Sequence, residues 1–534
     1  MSNWRINFIF GLLLICGAVI TGRLFYLQVV RGDLYKAWAQ GMLSKNEQIV
    51  GERGEIFFRN GESLAVNADW PLVFASPVEI EEKETVASRV AQALSLQESF
   101  VLDKLKKDNM YELIKKRITD QEVQKINEMN LQGIHIGKES GRFYPQETLA
   151  SQLVGFLAAD AKGQYGIEGY YDETLKGKNN QRGRDVFLTV DYSIQFKAEE
   201  LLEKAKDELG IEGGEIIVMD PASGEILALA NYPSFNPNQY SLVSDFSVFK
   251  NGITQKIFEP GSIFKPITMA AALEDQKITP QTTYLDKGKV VIGGWTVSNY
   301  SNRVYGEQTM TNVLEKSINT GAVFAEQELG NSSFLEYLDK FGFFDLTGVD
   351  LPEVYSENRE FKKGYEINFV TASFGQGIEI TPIQLIRAFS VIANNGKLTN
   401  PFIVKKEKQS ETEGDSVISP KTAAQLTAML VSVTENGFAK SARVPGYYIA
   451  GKTGTSQISF SALGEDKRGY SDKTWQSFIG FAPAFNPEFV ILVKLNNPKT
   501  KTAEYSSVPI FQQLAKFIID YYQIPPDYEI PTNN

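Results

Sequence analysis

Three short stretches carry reactive side chains at spacings that suit acyl transfer. In Glu259-Pro-Gly-Ser262-Ile-Phe-Lys265, a hydroxyl and an amine stand three residues apart. Ser262 follows Pro-Gly and precedes an apolar run at 267–273, so the stretch reads as a helix opening at the serine. Helix positions three apart share a face, which brings the Lys265 amine within reach of the Ser262 hydroxyl. Pro266 is tolerated there because first-turn amides have no intrahelical partner. Ile263, Phe264 and Ile267 are apolar neighbours, and desolvation favours the neutral amine that a general base must be. The helix start also aims free N–H groups at a developing oxyanion. An ordinary helix start with serine near its cap accounts for the same residues without chemistry, and this stretch alone leaves that open.

The second stretch is Lys316-Ser317-Ile-Asn319-Thr and the third is Ala450-Gly-Lys452-Thr453-Gly454-Thr455. The third follows an apolar run at 447–450 that reads as a strand. Gly454 leaves room for a substrate backbone to add itself along that strand, and Lys452, Thr453 and Thr455 supply a charge and hydroxyls for a carboxylate. A plain polar strand end is the alternative. A second Ser-x-x-Lys, Ser247-Val-Phe-Lys250, lacks the preceding Pro-Gly and runs into Asn251-Gly252, a helix breaker, so it reads as surface.

Composition narrows the chemistry. The chain of 534 residues has one cysteine, Cys16, and one histidine, His135. An intrachain disulfide is impossible and a Cys/His zinc site nearly so. A Ser-His-Asp triad would have to use His135, which sits in a strand-like stretch, so the base of any hydrolase or acyltransferase is expected to be another group. A net charge of -11 argues against nucleic acid as the main partner.

The elements that position these residues can be sketched. Asn60-Gly61 marks a hairpin. Residues 86–96 and 101–118 read as charged amphipathic helices, and 176–184 as a polar loop. Strands are expected at 186–190, 214–219, 225–230, 475–483 and 489–495, with helices at 194–209 and 510–522. Asp220-Pro-Ala-Ser-Gly224 is the turn between an antiparallel pair. Strands at both ends with helices between imply an α/β (α+β) domain, an antiparallel sheet flanked by helices.

At the N-terminus, residues 8–20 are almost wholly apolar and the run resumes at 24–30. Together they make about 23 residues, roughly 34 Å of helix, enough to cross a bilayer. No small-x-small cleavage site closes the run, so a membrane anchor at 8–30 is expected rather than a cleaved signal peptide. Basic residues flank it on both sides and leave the orientation open.

The ordered trio of Ser262, Ser317 and Lys452 resembles the Ser-x-x-Lys, Ser-x-Asn, Lys-Thr-Gly signature of penicillin-binding proteins and serine β-lactamases. Arg53-Gly-Glu-Ile-Phe-Phe-Arg-Asn-Gly, Arg142-Phe-Tyr-Pro145 and Gly166-Ile-Glu168 resemble pedestal motifs of the class B, monofunctional penicillin-binding proteins. Phe374-Gly-Gln-Gly377, Thr381-Pro382 and Gln384 resemble a transpeptidase-domain stretch. Two departures lie in the pedestal: Gln152 stands where the family often has His, and Phe58 where it often has Asp. Residues 444–455, 477–483 and 508–526 are most similar to the cell-division transpeptidases of this class, with the elongation type as runner-up.

The resemblance implies a transmembrane anchor at 8–30, a pedestal (dimerisation-like) domain at 31–185, a serine transpeptidase domain at 186–523 and a tail at 524–534. It implies that Ser262 attacks a D-Ala–D-Ala carbonyl, Lys265 takes its proton, and Ser317, bridged to Lys452, relays a proton to the leaving D-alanine. Asn319 would hold the donor amide, Thr453 and Thr455 the terminal carboxylate, and the N–H groups of Ser262 and Thr455 the oxyanion. Neither metal nor cofactor is implied. The implied partners are peptidoglycan stem peptides, β-lactams as inhibitors, a membrane-embedded lipid II glycosyltransferase and division proteins. The implied place is the cell membrane, single-pass with the catalytic domain outside the cytoplasm, at the division septum. A β-lactamase, or a penicillin-sensing scaffold without turnover, are the other functions that the trio allows.

Overall fold

The computed structural model describes residues 4–26, 28, 52–177, 181–405 and 414–529. Two compact units emerge. The larger comprises 54–66, 144–176 and 183–534, and the smaller 1–53, 67–143 and 177–182. Two stretches ahead of residue 185, 54–66 and 144–176, fall in the larger unit.

The larger unit is built on a five-stranded antiparallel sheet. Its spatial order is Ala450–Ser459, Tyr470–Ala482, Phe489–Asn496, Gly213–Met219 and Ile226–Tyr232. Consecutive strand residues point to opposite faces. Ile216, Ile217, Val218 and Met219 are all fully buried, so both faces are covered. Tyr192–Leu209 and Ser507–Tyr522 pack together on the sheet, with Phe511 edge-on to Phe478 at 4.6 Å between ring centroids. Pro382–Ala393 and Pro420–Glu435 also pack on it and on each other, and the helix Lys265–Glu274 lies against both. Local signals explain several starts. Asp191 caps Tyr192–Leu209 by accepting from the N–H groups of Ser193 and Ile194, and Thr381 and Gln384 form a reciprocal capping box.

The first and last described segments of the larger unit are tied in. Ile56–Phe57 pairs antiparallel with the start of Ser63–Ala75 across the Asn60-Gly61 turn and parallel with Val186–Phe187. At the other end, Asp527 Oδ2 accepts from the Tyr448 N–H at 2.8 Å and the Asp527 N–H donates to the Gly446 carbonyl at 2.9 Å. This docking corrects the strand expected at 447–450. The Tyr448 N–H is committed to the tail, and the strand begins at Ala450 instead.

In the smaller unit, the later part of Ser63–Ala75, from Asn67 on, pairs with Glu112–Lys115 and Ile134–Phe143. Helices Lys83–Leu94, Glu98–Leu105 and Asp120–Met129 bury Val90, Leu94, Val101, Leu105 and Ile126 against this sheet. The helix expected over 101–118 stops at Leu105. Lys104, Lys107 and Asn109 fold back onto the buried Glu112 carboxylate, at 3.3, 2.9 and 2.8 Å, and Glu112–Lys115 continues as a strand. His135 lies in the strand Ile134–Phe143 of this unit, its Nε2 3.6 Å from Glu79.

Trp4–Phe25 is helical, with Leu12, Leu13, Ile15, Val19 and Ile20 exposed. Among the described residues, no helix is long and apolar enough to cross a membrane. The end of the expected 8–30 span, at 29–30, lies outside them.

Candidate active site

Gly261–Phe264 forms one tight helical turn and Lys265–Glu274 continues it as α-helix. Ser262 is half-buried while Lys265 has no exposure at all. The Lys265 Nζ lies 2.9 Å from Ser262 Oγ, 2.8 Å from the Ser317 carbonyl oxygen, 2.8 Å from Asn319 Oδ1 and 3.2 Å from Ser317 Oγ. Two of these neighbours can only accept. The Ser317 carbonyl has no proton, and Asn319 turns its oxygen to the lysine because its Nδ2 donates to the Ser298 carbonyl at 3.1 Å. A neutral amine that gives its two N–H bonds to them is left with its lone pair for the Ser262 hydroxyl. Burial, reinforced by the like charge of Lys452, holds Lys265 well below the ordinary lysine pKa.

Ser317 sits between two helices, Met310–Glu315 and Asn319–Leu329, with φ of +53°, a left-handed conformation that a serine adopts at some cost. That bend sends its carbonyl to Lys265 while Lys452 donates to its Oγ at 3.0 Å. Lys452 is also fully buried, and burial lowers its pKa to about 7. Its amine is held in addition by the Thr453 carbonyl at 3.0 Å and Thr453 Oγ1 at 3.3 Å. Ser317 Oγ thus bridges two amines, neither of which has a carboxylate ion-pair partner among the described residues.

Lys452, Thr453, Gly454 and Thr455 lie on Ala450–Ser459, the sheet's edge strand. An edge strand leaves backbone groups free to pair with an extended peptide. Thr453 and Thr455 are half-buried and line a cleft of about 870 Å³, together with Ser262, Ser317 and Asn319. Thr455 Oγ1 accepts from the Ala503 N–H at 3.2 Å. Gly454 also lies against the Ser262 turn. A Cβ there would lie 2.9 Å from Ile263 Cγ2 and 3.3 Å from the Ile263 nitrogen. Its bareness therefore lets the strand close on the Ser262 turn.

Ser247 and Lys250 are exposed, and Ser247 Oγ is engaged by Asp245 at 2.9 Å. Gln152 is buried, and its Nε2 donates to the carbonyls of Pro233 at 2.7 Å and Val248 at 3.0 Å. Phe58 is fully buried.

Sequence reasoning missed one whole wall of the cleft. Ser298, Asn299, Tyr300, Ser301, Arg303 and Tyr305 line it, following the hairpin of Lys289–Ile292 and Trp295–Ser298. Gly293-Gly294 between apolar runs was the available signal. At the head of the first stretch, burial raises the Glu259 carboxyl to about 7 although Tyr470 donates to it at 2.8 Å.

The profile described as the penicillin binding protein transpeptidase domain matches residues 214–516, and that of the penicillin-binding protein dimerisation domain matches 48–187. The stage V sporulation protein D of Bacillus subtilis is 32% identical over 519 residues, covering 90% of this chain and 80% of that protein. A probable peptidoglycan D,D-transpeptidase of Pseudomonas aeruginosa, PbpC, is 31% identical, covering 98% and 96%. Among solved structures, penicillin binding protein 3 of Mycobacterium tuberculosis complexed with aztreonam superposes with a TM-score of 0.69 at 26% identity, covering 90% of this chain and 98% of that one.

Proposed function

The chain belongs to the class B penicillin-binding proteins, and from that membership we propose that it cross-links peptidoglycan stem peptides through a Ser262 acyl-enzyme. The observation that carries this reading is the Lys265 amine, buried, held by two obligate acceptors and 2.9 Å from Ser262 Oγ. Ser262 Oγ bonds to the D-Ala–D-Ala carbonyl carbon as its proton passes to Lys265 Nζ. The N–H groups of Ser262 and Thr455 receive the oxyanion. The C–N bond to the terminal D-alanine then breaks, and the Ser317 hydroxyl, bridged to Lys452, delivers the proton that the leaving amine needs. Thr453 and Thr455 hold its carboxylate, and Asn319 the donor amide. An amine of a neighbouring stem peptide takes the acyl group by the reverse route and frees Ser262.

A β-lactam presents a strained amide to the same serine, and its ring-opened acyl group stays attached. Digestion and mass mapping of the penicillin-treated protein tests the assignment. The adduct is expected on the Ser262 peptide, absent from Ser262→Ala and unchanged in Ser247→Ala; an adduct that survives Ser262→Ala overturns it.

We further propose a single-pass membrane protein with its catalytic unit outside the cytoplasm, working at the division septum beside a lipid II glycosyltransferase. The apolar run at 8–30 supports the anchor, and residues 444–455, 477–483 and 508–526 support the division branch. Fluorescent-fusion imaging tests the branch: enrichment along the lateral wall without a septal band would refute it.

A further inference from the structure

Asp286 ends the short strand Thr283–Asp286, is 2% exposed, and belongs to none of the three catalytic stretches. Its Oδ1 accepts from Thr320 Oγ1 at 2.6 Å, the Gly288 N–H at 2.9 Å and Asn299 Nδ2 at 3.0 Å. Its Oδ2 accepts from the Tyr305 N–H at 2.7 Å and from Asn299 Nδ2 at 3.0 Å. Burial raises the pKa of this carboxyl, but the bonds from Thr320, Gly288, Tyr305 and Asn299 outweigh it and hold the group below the ordinary aspartate value. It is an anion at neutral pH.

The partners it gathers are neighbours of the catalytic amide. Asn319 donates to the Ser298 carbonyl at 3.1 Å, and the next residue, Thr320, donates its N–H to Asn299 Oδ1 at 3.1 Å. Two successive rungs therefore stitch the cleft wall to the start of the helix Asn319–Leu329. Asp286 lies behind both, bonded to Thr320 on the helix and to Asn299 and Tyr305 on the wall. The rung at Ser298 is what turns the Asn319 oxygen toward Lys265.

We propose that Asp286 is a positioning residue, clamping the wall at 298–305 to the first turn of the Asn319 helix and so holding the Asn319 amide against Lys265. The inference rests on the reading of Lys265 as the base. In Asp286→Asn an NH2 group replaces one acceptor oxygen and meets N–H or O–H donors from Tyr305, Asn299 or Thr320. The rungs slip, Asn319 withdraws its oxygen, and water reaches the Lys265 amine. The proton is then held more tightly, and less of the amine is neutral at a given pH. Lys452 is the charged group that faces Lys265 from the edge strand, and Tyr284 is the titratable group beside Asp286.

The test is the acylation rate of the full-length protein by a fluorescent penicillin across pH, with the melting temperature measured alongside. Asp286→Asn is expected to lose about tenfold at neutral pH, as a one-unit displacement of the limb implies. Its rising limb should move to higher pH by about one unit, as greater hydration of the amine requires. Thr320→Val, which removes the hydroxyl's bond to Asp286 at 2.6 Å and its contacts with Tyr284 at 3.2 Å and Asn299 at 3.3 Å but keeps the Thr320 N–H rung, should shift the limb the same way by less. The exchanged pair, Asp286→Asn with Asn299→Asp, should recover part of the rate. An unshifted limb in Thr320→Val, or a loss in Asp286→Asn that merely tracks the unfolded fraction, overturns the clamp. A wild-type protein that forms no Ser262 adduct sinks the acyl-enzyme reading and the clamp with it. A wild type that acylates beside an Asp286→Asn variant with the same profile sinks the clamp alone.

Discussion

Gly261 donates its N–H to the Gly375 carbonyl at 2.9 Å, and the two glycines approach so closely that a Cβ at 375 would lie 2.2 Å from the Gly261 carbonyl oxygen. Both have positive φ, +60° and +81°. Gly375 thus backs the turn that presents Ser262. Gly375→Ala must push the Gly261 backbone, and with it the nucleophile. Acylation should fall by tenfold or more, since about 1 Å of misplacement is worth roughly 10²-fold. Gly364→Ala is the control: its φ is +76° but nothing lies within 4 Å of the added Cβ. It should cost about 1 kcal/mol of backbone strain and leave the acylation rate alone. Equal rate losses in both variants would mean that strain, not displacement, is at work.

Lys265→Arg should be nearly as damaging as Lys265→Ala. Arginine keeps a positive charge but cannot lose its proton at physiological pH, so the base is gone. A general base contributes about 10²- to 10⁴-fold, and both variants should lose on that order in stopped-flow acylation. An arginine variant acylating near the wild-type rate would make Lys265 a structural charge only.

The sheet and the approach of Ser262 to Lys265 were legible in the sequence for local reasons. Asp220-Pro-Ala-Ser-Gly224 fixes a turn between Gly213–Met219 and Ile226–Tyr232, and Ser262 and Lys265 are joined by the pitch of a single helix. What stayed hidden depends on residues far apart in the chain. The role of Gly454 is set by Ile263, and the start of its strand by Asp527. Asp286 meets Thr320 only because a hairpin folds between them. Glu112–Lys115 matched a helical pattern until Lys104 and Lys107 turned back onto Glu112. Spacing encodes contacts within one element; contacts between elements appear only once the elements have packed.

Glu326 lies on the same helix as Asn319, fully buried, and neither of its oxygens has a hydrogen-bond partner among the described residues. Burial, with the like charge of Glu366, raises its pKa to about 7. The folded state therefore binds the proton more tightly than the unfolded chain. That stabilisation is complete below the ordinary glutamate pKa near 4.5 and is lost as pH rises through about 7. Glu326→Gln should match the wild type in melting temperature near pH 4 and exceed it at pH 8. A glutamine variant that is less stable at pH 8 would show that the carboxylate has a compensating partner.

The proposed topology rests on the apolar run at 8–30 and on the substrate, since cross-linked wall peptide exists only beyond the membrane. Cys16, the one native thiol, lies inside that run, so an introduced cysteine elsewhere can be read without interference once Cys16 is serine. Ser461 suits the purpose: it is exposed, in the short turn Ser461–Leu463, and outside the cleft. In cells carrying Cys16→Ser with Ser461→Cys, a membrane-impermeant maleimide should label the protein before the cytoplasmic membrane is broken, any outer barrier having been opened first. The partner variant, Cys16→Ser alone, should stay unlabelled throughout. A shortened chain lacking residues 1–30 should release the catalytic unit from the membrane fraction while keeping its reaction with penicillin. Labelling that appears only after lysis would place the active site in the cytoplasm, away from any stem peptide in the wall, and would overturn the outward orientation together with the wall-synthesis role built on it.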